Sequence, residues 1–148
     1  MYDLFLILHN LVRWIVLLAG VAVVGRAALG LFGRRPWEKL DRTIGVVFTS
    51  AMDTQLLLGL ILYVFLSPIT RSAFADFGAA MGNGGQRFFA VEHAVYMIVA
   101  AVLAHVGSSL SRRVQEAAAK HQRVLIWSGL ALLLVLVGTP WVRPLFRF

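Results

Sequence analysis

The sequence predicts an all-α integral membrane protein: a four-helix bundle threaded up-down-up-down, with both termini on the outer side. Three observations carry that expectation. Of the 148 residues, 59% are hydrophobic and 14% charged, whereas a soluble domain averages about 45–50% apolar and about 25% charged. The apolar residues fall into four runs, each near the ~20 residues that cross a bilayer. The basic residues gather in two of the three connections, the pattern of loops retained on the cytoplasmic side.

The first run extends from Leu4 to Gly25, and its helix is expected over about 4–30. The N-terminal MYDLFLILHN carries Asp3 and lacks a basic leader segment, so this run is read as a retained helix. The second run, Ile44 to Leu66, predicts a helix over 44–66 that stops at Ser67-Pro68, because proline ends helices. The third run predicts a helix over 88–110. The fourth, Val124 to Val137, is short for a span, so its helix is expected to start earlier and cover 117–138, before Thr139-Pro140. The four helices account for one transmembrane domain over 1–148, with no length left for a soluble one.

The connections differ in character. GRRPWEKLDR joins the first two runs as a compact basic turn. In the long second connection Phe74, Phe77 and Met81 recur at helical spacing, predicting a short helix lying in the interface. MGNGGQ then predicts a flexible turn. The first and third loops carry Arg26, Arg34, Arg35, Lys39, Arg42, Arg112, Arg113, Lys120 and Arg123, against Arg71, Arg87, Arg143 and Arg147 on the other side. The positive-inside rule therefore sets both termini and the long loop outside. The net charge of +7 is explained by these loops and their attraction to anionic headgroups, which makes lipid the expected partner and excludes nucleic acid. The absence of cysteine rules out disulfides, iron–sulfur clusters, thiolate zinc sites and covalently attached haem.

Ionisable residues inside spans are functional candidates by default. His9 and His93 each lie roughly 7–8 Å inside the outer ends of the first and third runs, at about 1.5 Å per residue. Those helices run in the same direction, so the two imidazoles are expected at one depth. Across a bundle diagonal they could ligate the iron of a b-type haem or, alternatively, hydrogen-bond as helix glue. Arg13 shares a helix face with His9 at four-residue spacing. Its expected partner is Asp53 on the second helix, a haem propionate, or both. Gln55 and Gly59 share a face of the second helix, and Gly59 would admit a ring or a backbone. Met97, one turn from His93, is expected to pack on a bound ring, while Ala100, Ala101 and Ala104 read as a close-packing face. Glu92 is expected at the outer rim. His105 and His121 fall near the inner face, where they form either a second haem site or unrelated interfacial positions.

LHNLVRW at 8–14, QLLLGLILYVFLSP at 55–68, FFAVEH at 88–93 and the terminal PWVRPLFRF resemble a group of small four-helix bacterial membrane proteins often labelled cytochrome-b-like. The resemblance implies a four-helix fold in the bacterial inner (cytoplasmic) membrane and, through His9 and His93, haem b binding. It supplies no reaction. The expected function is electron transfer through one bis-histidine haem near the outer face. His9, His93, Arg13, Gln55, Gly59 and Met97 would bind the cofactor, and His9 and His93 would ligate the metal. The expected partners are quinone, other membrane redox subunits or further copies of the chain. The alternative is a structural or assembly subunit of a larger membrane complex, with no cofactor of its own.

Overall fold

The computed structural model describes residues 1–141; Arg143, Arg147 and most of the terminal PWVRPLFRF lie outside them. Helix α1 covers Tyr2–Phe32, with Asp3 in its first turn, where a carboxylate meets the positive end of the helix dipole. The chain then reverses through Gly33 and Arg34, which takes a φ of 51°. Helix α2, Lys39–Ile61, opens on a reciprocal capping box between Glu38 and Asp41. Arg26 of α1 donates to both carboxylates, at 2.7 Å to Asp41 and 2.9 Å to Glu38. The basic turn is therefore fastened to the end of α1 by ion pairs.

α2 continues into a π-helical turn, Leu62–Leu66. The Ser67 amide closes it onto the Leu62 carbonyl at 2.7 Å, and Pro68 ends the span. Three short helices follow: α3 Pro68–Ala75, α4 Phe77–Gly82 and α5 Gly84–Arg87. The single interfacial helix expected around Phe74 and Phe77 is thus interrupted. Asp76 caps the Ala79 amide and Asn83 caps the Gln86 amide, and each starts a new helix. The expected flexible turn is largely helical for the same reason. A second π-helical turn, Phe88–Glu92, leads into α6, His93–Arg112, and α7 covers Ala117–Gly138.

Among the described residues four helical stretches are long and apolar enough to cross a membrane: Tyr2–Phe32, Lys39–Leu66, Gly84–Arg112 and Ala117–Gly138. α1 packs against α2 and α7, and α6 packs against α7 and α2. Small residues set the close approaches. A β-carbon on Gly20 would lie 2.9 Å from Leu132 and 3.1 Å from Phe48, and one on Gly107 would lie 2.7 Å from Trp127. Ala100, Ala101 and Ala104 of α6 are buried in the same core as Val16, Phe48, Ala131 and Val135, as expected of small-residue packing in membranes. Ala73, Ala80 and Ala90 form a second buried cluster, which seats the short helices on the start of the third span.

Candidate functional site

His9 and His93 face each other. Their ring centres are 6.4 Å apart with planes inclined at 66°. Both line one mainly apolar cavity of about 400 Å³, bounded by all four long helices and the short helix α3. Arg13, Gln55, Gly59 and Met97 line it too, so the six residues singled out from the sequence converge on one space.

Each ring is held by identifiable contacts. Nδ1 of His93 is 2.7 Å from the main-chain carbonyl of Gly138. A carbonyl only accepts, so Nδ1 carries the proton and the neutral ring presents Nε2 as its lone pair, the form that binds a metal. That carbonyl is available because α7 ends at Gly138, and the last turn of a helix has carbonyls with no partner of their own. Gly138 permits the approach: a β-carbon there would meet Met97 at 2.5 Å and Tyr96 at 2.9 Å. Phe88 and Phe89 flank the His93 ring, with centres 5.9 and 6.1 Å away.

The His9 ring lies over Gly59, where a β-carbon would be 3.2 Å from Cε1. The ring that the absent side chain admits is therefore that of His9. The Gln55 carbonyl lies beside it, yet no hydrogen bond reaches the buried Nδ1, nor the buried Oε1 of Gln55. Two polar atoms at the cavity wall thus lack protein partners among the described residues. Arg13 is 8% exposed, and its guanidinium carbon is 5.9 Å from the centre of the Trp14 ring.

The π-helical turns belong to this site, and nothing in the sequence signalled them. One ends at the residue before His93, and the other lies one turn beyond Gly59. The Tyr63 hydroxyl of the first donates to the Ala90 carbonyl of the second at 2.6 Å. Thr70, buried at the cavity wall, donates to the Tyr63 carbonyl at 2.8 Å. Such turns recur at functional sites because the extra residue re-aims the side chains that follow.

Other candidates fall elsewhere. Asp53 does not pair with Arg13. It accepts from Nε2 of His105 at 2.7 Å, on the outside of the helix bundle. The reason is rotational. Asp53 lies about 200° around α2 from Gln55 at roughly 100° per residue, so the two cannot share an interior face. His105 and His121 do not form a second site. His121 is buried on the opposite side, against Gly30 and 4.9 Å from the Trp37 ring, with no hydrogen bond to either ring nitrogen among the described residues. Glu92 pairs with Arg87 at 2.8 Å. Among the described residues no group of three or more His, Asp or Glu side chains is arranged to hold a metal ion, so any metal at the cavity would rest on two imidazoles.

Comparison with family models, with curated proteins and with solved structures returned no match.

Proposed function

We propose that the protein carries electrons through one b-type haem held between His9 and His93. The observation that carries this reading is the placement of two inward imidazoles across one cavity. Their ring centres are 6.4 Å apart at one end of that cavity, and neutral imidazole is a good iron ligand, so His9 and His93 are the residues that would hold the group. The Gly138 carbonyl that orders the His93 proton, leaving Nε2 as the lone pair, fits the same group.

When bound, the haem would supply one-electron redox chemistry. The chain supplies the rest. His9 and His93 would both be used to hold the iron, which favours electron carriage over oxygen activation. Arg13 offers a cation to an acidic substituent, Gly59 gives the His9 ring its seat, and Met97 packs at the cavity wall. The charge bias of the loops favours an up-down-up-down bundle in a bacterial inner membrane with both termini, and the site, toward the outer side. A membrane quinol or a further redox subunit is the electron partner of this reading.

The expected result is a b-type difference spectrum, reduced minus oxidised, from protein purified after haem-replete expression. His9→Ala and His93→Ala should each abolish it while helical content is retained. Colourless wild-type protein, or full haem retention in both variants, would refute the assignment. One observation favours the second reading, a structural subunit of a membrane assembly: the Asp53–His105 pair lies on the outer surface, where a neighbouring polypeptide would cover it. Co-purification of colourless protein with a fixed partner would select that reading.

A further inference from the structure

The outward faces of the four spans are not alike. On α1 the exposed mid-span residues are Leu11, Ile15, Leu18 and Val21, and on α7 they are Ile126, Leu130, Leu133 and Val137. Those faces are wholly apolar, as lipid requires. The adjoining faces of α2 and α6 break this rule at their centre. Val46, Ser50, Asp53, Leu57, Leu60 and Val64 form an exposed stripe on α2 and its π-helical end at alternating four- and three-residue steps. Val95, Ile98, Val102 and His105 form a matching stripe on α6. This step pattern is that of a seam between packed helices. The two ionisable members of the stripes, Asp53 and His105, bond to each other at 2.7 Å while their side chains stay 56% and 50% exposed.

A half-exposed carboxylate and imidazole on a lipid-facing surface carry a high desolvation cost. Covering them with polar groups removes it. Neither residue lines the cavity described above, and a small ligand would need a concave seat, whereas another helix pair needs only a matching surface. The pair is also self-complementary. Its bond uses Nε2 of His105 and Oδ1 of Asp53, which leaves Oδ2 and Nδ1 for a facing surface. Nδ1 donates to a carboxylate if the ring is protonated, or accepts from a hydroxyl such as that of Ser50 if it is neutral. A two-fold axis presents every one of these groups opposite its complement.

We propose that the α2/α6 face is the contact surface for a second copy of this chain, joined at its centre by Asp53 and His105 of the two copies. A single polar residue in an apolar helical seam fixes register and copy number, and polar side chains draw transmembrane helices together. The assignment stands independently of haem.

The chain has no native cysteine, so single cysteines can be scanned directly in membranes by oxidative cross-linking. Leu57→Cys and Val102→Cys, each one turn from the polar pair, should give a product of twice the chain mass. Leu18→Cys and Leu133→Cys, on the apolar faces, should not. In vesicles, energy transfer between labelled wild-type chains should report dimers. The double variant D53L/H105L should dissociate roughly tenfold or more readily while keeping its helical circular dichroism. Monomeric wild type, cross-linking without preference for this face, undiminished association of D53L/H105L, or cross-linking only to a protein of different mass would each overturn the proposal.

Discussion

At the scale of single residues, glycines mark where imidazoles sit. Gly30 faces the ring of His121, and a β-carbon there would overlap the ring atoms Cε1, Nε2 and Nδ1. Gly30→Ala should therefore destabilise the protein by about 1–3 kcal/mol, the usual cost of overpacking a rigid core. His121→Ala should recover much of that loss in the double variant, and a thermal-unfolding cycle in detergent measures the coupling. Gly59→Val should push the His9 ring off its seat and, on the haem-binding proposal, reduce the haem retained by purified protein, read in the visible spectrum, with little change in helicity. The sequence made part of this site legible. Counting residues from the run ends placed His9 and His93 at one depth, and four-residue spacing placed Arg13 and Gly59 on the right faces. Depth does not specify rotation, however, and Asp53 was matched to Arg13 on depth alone. The burial of Gln55, two residues away, points Asp53 outward, and a helical wheel of α2 carries that signal. The Gly138 carbonyl was not legible, because a main-chain acceptor leaves no trace in side-chain pattern.

At the scale of elements, the apolar runs were legible because bilayer-length hydrophobicity is a gross property of composition. So were some of their ends, the stop of the second at Leu66 and both ends of Ala117–Gly138, but the start of α2 was not. α2 begins at Lys39 and not near Ile44, since Lys39, Asp41 and Arg42 read as loop charges although Asp41 closes a capping box. Asp41→Ala should remove that cap and cost about 1 kcal/mol, seen as a lowered unfolding temperature. Charge-conserving Asp41→Glu should restore the ion pair to Arg26 better than the cap. The interruptions of the connecting helix at Asp76 and Asn83 follow from side-chain caps whose residue types were visible, whereas the π-helical turns have no such marker. Tyr63→Phe deletes the hydroxyl that joins those two turns. It should cost about 1 kcal/mol and loosen the cavity wall, measured as faster amide hydrogen exchange in Phe88–Glu92.

At the scale of the whole molecule, the four spans and the charge bias of their connections make a topology prediction. A reporter active only outside the cytoplasm should work when fused after the C-terminus and fail when inserted in the third connection, between Arg113 and Glu116. The reverse pattern would invert the bundle and move the histidine cavity to the other face. The join between α6 and α7 has one more consequence. What orders the proton on His93 is main chain, so no replacement at Gly138 can delete it as an acceptor. Its freedom depends on Pro140, which denies α7 another turn. Pro140→Ala would let the helix wind onward, so that this oxygen is shared with the ladder and its hold on the His93 proton weakens. On the electron-carrier proposal, the basicity of a ligand would then be written in where a helix stops.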